Sequence, residues 1–194
     1  MLVTPTAASR TRQPRPTSEL ALTQDKVVEV ALSLLRRGGL EHVSMRKIAA
    51  RLGVRAQSIY WHVDSKEALC RLMGRAIFQS CLDAMPPCTD WRQWLREYGL
   101  SLWRTQCVTP DIRQLILAGP VEKRARDGLH AVILGALVPL GLPIETAQSA
   151  QQSVQALVTG WTTIRAKPGA DPGEESFRES LDVLIEGWGS RVDG

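Results

Sequence analysis

Between Val43 and Lys66 the chain reads Val-Ser-Met-Arg-Lys-Ile-Ala-Ala-Arg-Leu-Gly-Val-Arg-Ala-Gln-Ser-Ile-Tyr-Trp-His-Val-Asp-Ser-Lys. This segment concentrates residue types that recognise nucleic acid. Arginine grips guanine bidentately and glutamine grips adenine, each worth about 1–3 kcal/mol of discrimination. Aromatic rings and lysine suit sugar and phosphate, contacts that set register rather than sequence. Tyr60 and Trp61 are adjacent aromatics on a short polar stretch, an odd choice for a solvated surface unless something packs on them.

Two short helices joined by a glycine turn would position these groups. Ser44 is a good N-cap, its hydroxyl placed to accept from the free amides of the first turn. Met45, Ile48, Ala49 and Leu52 recur at helical spacing, which leaves Arg46, Lys47 and Arg51 on the opposite side. Gly53 ends the first helix where a left-handed residue costs least. The second helix, roughly Ala56 to His62, turns Ile59 and Val63 inward and leaves Gln57, Ser58, Tyr60, Trp61 and His62 outward or sideways. Asp64 or Ser65 then caps a further helix. This is the pattern of a helix-turn-helix that enters a DNA groove, although short amphipathic pairs also occur in folds that never meet DNA.

Charge separates the two readings. Residues 1–63 carry a net charge of +6 and residues 64–194 carry −2, within a whole-chain charge of +4. The whole excess sits where phosphates would be met, which favours a nucleic-acid partner at one end.

Thr23 to about Leu72 resembles the TetR family of transcriptional regulators. Members show Tyr-x-[His/Tyr]-[Val/Phe]-x-x-Lys at this place, and Tyr60, His62, Val63 and Lys66 match it. The resemblance implies an all-α protein, with an N-terminal three-helix DNA-binding domain and a C-terminal helical domain for ligand binding and dimerisation. It implies release from DNA when a small molecule binds. By motif position, Ser44, Tyr60, Trp61, His62 and Lys66 fall to backbone contacts, while Arg46, Arg55, Gln57 and Ser58 fall to base reading. Met45, Ala56 and Gln57 occupy reading positions and differ there from the tetracycline-responsive members, so a different operator is expected. A two-fold dimer calls for an inverted repeat with half-sites about one helical turn apart.

The remaining sequence divides around this head. Residues 1–21, with Pro5, Pro14, Pro16 and few apolar side chains, read as a disordered basic arm, whose Arg10, Arg12 and Arg15 are of a kind that reaches a minor groove. Residues 22–67 form the DNA-binding domain and 68–194 the ligand-binding and dimerisation domain. Thr23 caps a first helix with Val27, Val28, Ala31, Leu34 and Leu35 on its apolar side, ended by Gly38-Gly39. A linking helix runs from about Lys66 to Ala84. Further helices are expected over 90–108, 111–117, 122–140 and 143–167, followed by a last one carrying Phe177, Leu181, Leu184, Ile185 and Trp188. No period-two strand pattern occurs. Hydrophobic residues make up 44% of the chain, enough for a sizeable core. No stretch resembles a signal peptide. The apolar run from Leu129 to Leu142, interrupted by His130, Pro139 and two glycines, falls short of the roughly 18 residues a membrane helix needs. The four cysteines have no metal-binding spacing; a cytoplasmic protein with reduced thiols, no cofactor and no metal is expected.

Ligand candidates are the aromatic and polar residues of the C-terminal helices: Trp94, Tyr98, Trp103, Cys107, His130, Gln155 and Trp161. Each also suits an ordinary core. The histidine that a tetracycline–magnesium site in this family requires has Leu82 in its place, beside Cys81, which disfavours that ligand. A small hydrophobic or aromatic inducer of another kind is expected. Ala150, Val154, Leu157 and Trp161, with Leu181, Leu184 and Trp188, form two stripes that serve either as a homodimer interface or as cover for the protein's own core. No nucleophile elbow, phosphate loop or metalloprotease motif is present, so no catalytic residue is assigned. A helical-bundle enzyme, an adaptor and an activator are the alternatives to a repressor.

Overall fold

Thr23 opens the first helix, its hydroxyl accepting from the Lys26 amide at 3.3 Å. The resulting α1 (Gln24–Gly38) buries Val27, Val28, Ala31, Leu34 and Leu35, the stripe its spacing predicts. Gly39 ends it with φ 72°, a region open to glycine at little cost, and donates its N–H to the Leu35 carbonyl at 2.8 Å. The computed structural model describes residues 22–117, 131–166, 169 and 173–194; the arm expected over residues 1–21 and the start of the helix expected from 122 lie outside them. Among the described residues the regular structure is entirely helical.

After α1 come a 3-10 turn (Leu40–His42), α2 (Met45–Leu52) and α3 (Ala56–Tyr60). Then follow α4 (Lys66–Asp83), α5 (Trp91–Val108) and α6 (Ile112–Leu117). The described part of α7 spans 131–137; α8 (Ile144–Arg165) and α9 (Glu174–Asp193) complete the chain. Side-chain caps set the starts of α1, α2, α4 and α5. Ser44 accepts from the Lys47 amide, Ser65 from Ala68 and Asp90 from Gln93, at 3.2, 3.0 and 2.9 Å.

Two hydrophobic cores result. The head core joins α1, the 3-10 turn, α2, Ile59 and Val63 to Leu69, Cys70 and Met73 of α4, and it also takes in Ile112 and Leu115 of α6. The body core is built on α5, α8 and α9, with Cys81 from α4 and Ile133 and Leu137 from α7. Helix α4 serves both: its first half feeds the head, its second half the body, and Ile77 touches each. Burial pushes the Cys70 and Cys81 thiols up from their ordinary range.

Helices α5, α8 and α9 approach closely at Gly99, where a Cβ would lie 2.7 Å from Leu181 and 3.1 Å from Val154. This packing decides between the two uses of the apolar stripes. Ala150, Val154 and Leu181 have no exposed surface; they cover α5, which has aromatic side chains on more than one side. They therefore cannot line an interface with another subunit. Leu157, Trp161, Leu184 and Trp188 are only partly buried, at the edge of the same core. Ion pairs of Arg92 with Asp193, Arg96 with Asp182 and Arg104 with Glu174 tie α5 to α9 along their rims. They lie at the surface, the Arg96–Asp182 pair half-buried, and each contributes on the order of 1 kcal/mol or less.

Candidate nucleic-acid interface

The reading pair is held by its own buried side. Ile48 and Ile59 have no exposed surface and Val63 almost none, which fixes α3 against α2 and α1. Gly53 makes the turn between α2 and α3 in the left-handed region (φ 67°, ψ 24°), and Val54 donates its amide to the Ala49 carbonyl at 3.0 Å. The second helix is shorter than its pattern suggests. It ends at Tyr60, and the amides of His62 and Val63 both turn back to the Ile59 carbonyl.

What remains outward is cationic and aromatic. Arg46, Lys47, Arg51, Arg55, Gln57 and Lys66 are exposed, and Ala56, Ser58 and His62 are half-buried. Tyr60 is 51% exposed and Trp61 84%. Ser44 is half-buried with its oxygen already accepting from Lys47, so its hydroxyl hydrogen is what it has left to offer a phosphate. Met45 must be corrected: at 7% exposure it is part of the head core. The first residue of α2 is also the first of its apolar stripe, and burial of that stripe decides where the side chain goes. Two contacts were not evident from the spacing. Gln24 Nε2 donates to the His62 carbonyl at 3.0 Å, joining the start of α1 to the end of the reading helix. Arg51 donates to Ser33 Oγ at 3.2 Å, joining α2 to α1.

The ligand candidates of the body do not form one site. Trp94 stacks on Tyr98 with centroids 5.1 Å apart. The Tyr98 hydroxyl donates to Gln155 at 2.9 Å and accepts from the buried Gln151 at 2.7 Å, and burial holds that phenol far above its ordinary range. Trp103 belongs to a second cluster, stacked on Phe177 at 4.5 Å with Trp161 edge-on at 6.4 Å. The aromatic faces are thus largely taken up by one another. Cys107 is exposed at the far end of α5, and His130 lies outside the described residues. Leu82 packs against the body core beside buried Cys81, with no ligating atom to offer. Among the described residues no cluster of three or more potential metal ligands occurs. An open groove of about 740 Å³ runs along α8, lined by Ile116, Gln152, Gln155, Ala156, Thr159, Gly160, Thr163 and Ile164. Gln155 is the candidate it shares. The small residues Ala156 and Gly160 at four-residue spacing were its only sequence signal.

An exposed aromatic pair over a basic three-helix head is the geometry of a DNA reader, and comparison with known proteins decides the lineage. Residues 27–73 match the family described as bacterial regulatory proteins, tetR family. This chain belongs to the TetR family. An HTH-type transcriptional regulator of Saccharopolyspora erythraea is 34% identical over 119 residues, 59% of this chain, which spans about half (50%) of that relative's length. The class D tetracycline repressor of Escherichia coli is 25% identical over 197 residues, covering 86% of this chain and 89% of the repressor. Among solved structures, a TetR variant from Acinetobacter baumannii in complex with minocycline superposes with a TM-score of 0.71 at 24% identity. That match covers 89% of this chain and 96% of the other, and shows a shared fold. TetR-family proteins are DNA-binding transcriptional regulators rather than enzymes, with an N-terminal helix-turn-helix domain and a helical C-terminal domain.

Proposed function

We propose that the chain is a repressor that binds a palindromic operator in double-stranded DNA as a homodimer and leaves it when a small, mostly apolar ligand occupies the body. The observation that carries the DNA half is the exposure of Tyr60 and Trp61 beside Arg46, Arg55 and Lys66, over the buried Ile59 and Val63. In this reading Ser44, Tyr60, Trp61, His62 and Lys66 hold the backbone, and Arg46, Arg55, Ala56, Gln57 and Ser58 face the bases. The working division is a DNA-binding head over 22–67 and a body over 68–194, with α4 and α6 contributing to the head's core across that boundary. A regulator of chromosomal DNA acts in the cytoplasm, and among the described residues no helix is long and apolar enough to cross a membrane.

The groove along α8 supports the ligand half. Its walls are mainly methyl and methylene groups, with Gln155 as a polar contact that reaches Tyr98 in the core, the balance expected of a small-molecule site. The outer edges of α8 and α9, with Leu157, Trp161, Leu184, Trp188 and the exposed Val183, support the subunit contact. Such a ligand relieves repression only as far as it prefers the released state; full reversal takes about 5.5 kcal/mol of preference.

Footprinting of the DNA upstream of the protein's own gene tests the reading. Protection of an inverted repeat, lifted by a ligand that also quenches tryptophan fluorescence, is the expected result. Absence of any protected repeat contradicts it.

A further inference from the structure

We infer that Asp111, in the loop between α5 and α6, is a positioning residue for the DNA-reading helices. Asp111 Oδ2 accepts from the backbone N–H of Leu40 at 2.8 Å, across 71 residues of chain. Leu40 opens the 3-10 turn that hands the chain to Val43 and to Ser44, the cap of α2. The carboxylate therefore holds an amide four residues before Ser44, the cap that opens the first reading helix. Charge-assisted hydrogen bonds of this kind are short and directional.

Three further features mark the contact as built. Asp111 has φ 53°, and among the described residues it alone adopts a positive φ without being glycine. That conformation is unfavourable for a residue with a Cβ, and it persists only where its surroundings hold it. Facing it, Gly39 has φ 72°, and a Cβ there would lie 2.5 Å from Asp111 Oδ2. On the other side of α6, a Cβ on Gly74 of α4 would come within 3.3 Å of the Leu115 carbonyl, so α6 lies close on α4 while Ile112 and Leu115 enter the head core. Apolar contacts set the distance of α6 from the head but are non-directional. The Asp111–Leu40 bond supplies the direction, orienting the turn and hence the axis of α2.

The inference rests on the operator reading above, and its test separates the two. Affinity of the full chain is measured for the footprinted duplex and for an unrelated duplex, together with hydrogen exchange at the Leu40 amide. Asp111→Gly keeps the backbone conformation and removes the acceptor. It is expected to bind the operator about tenfold more weakly, about 1.4 kcal/mol, with faster Leu40 exchange and unchanged affinity for the unrelated duplex, because phosphate contacts carry no sequence information. Asp111→Asn, which tolerates the same backbone and offers a weaker acceptor, is expected to lose about threefold; should the glycine variant fail to fold, this variant decides alone. Operator affinity within twofold of the unaltered protein in the variant that folds overturns the assignment, as does an equal loss on both duplexes. If the unaltered protein itself ignores the footprinted duplex, the operator reading falls and takes this one with it.

Discussion

Tyr60 and Trp61 hold apolar surface in water where most surface helices carry charge. Such surface is kept when a partner covers it. Duplex DNA offers sugar edges to the rings and phosphates to Lys66, and neither depends on sequence. Tyr60→Ala and Lys66→Ala are therefore expected to weaken binding to every duplex in a randomised library by a similar factor, about five- to tenfold on the scale of single polar contacts. Gln57→Ala is expected to leave average affinity nearly unchanged and to alter which base is preferred at one position of each half-site. Equal behaviour of the three variants would contradict the division of roles. At this scale the sequence was legible wherever a residue's neighbours were local: the cap at Ser44, the left-handed Gly53 and the inward Ile59 all follow from spacing. Met45 was misplaced because position in a reading motif and position on an apolar stripe conflict there, and burial prevails. Gln24 and Arg51 make their contacts with partners 38 and 18 residues away, which no local pattern reveals.

Helices pose a different question, namely which side each stripe faces. Boundaries of α1, α4, α5 and α8 were readable because caps, glycines and prolines punctuate them. The partner of each stripe was not, since identical spacing serves a subunit contact and a core alike. Leu181 illustrates the outcome: it sits against Gly99 inside the subunit. Leu181→Ala is expected to destabilise the protein by about 2–5 kcal/mol, read from denaturant unfolding, while the dissociation constant of the proposed dimer stays the same by sedimentation. A change confined to dimer dissociation would contradict its placement in the core. Ser44→Ala is expected to cost about 1 kcal/mol through loss of the α2 cap, seen in the same unfolding measurement.

For the molecule as a whole, charge is distributed by function. Residues 1–63 hold the net positive charge (+6) and residues 64–194 carry −2, with three arginine–carboxylate pairs joining α5 to α9. Arg104, and then Arg178, holds the Glu174 carboxyl below its ordinary range. A depressed carboxyl stabilises the fold above the ordinary carboxylate range, and that contribution disappears as pH falls through its lowered value. Glu174→Gln should thus lower the melting temperature slightly near pH 7 and converge on the unaltered protein in acid; a constant offset at all pH values would contradict the ion-pair account. Operator affinity should fall steeply with salt, with a logarithmic slope near −0.9 for each phosphate neutralised. The central claim, that the outward face of α3 and its cationic surround reads the major groove twice over through a two-fold dimer, is tested most directly by selecting bound duplexes from a random pool with the full-length protein. Enrichment of a single inverted repeat, with half-sites about one helical turn apart, is the predicted result; recovery of unenriched DNA, or of a lone half-site, would contradict it.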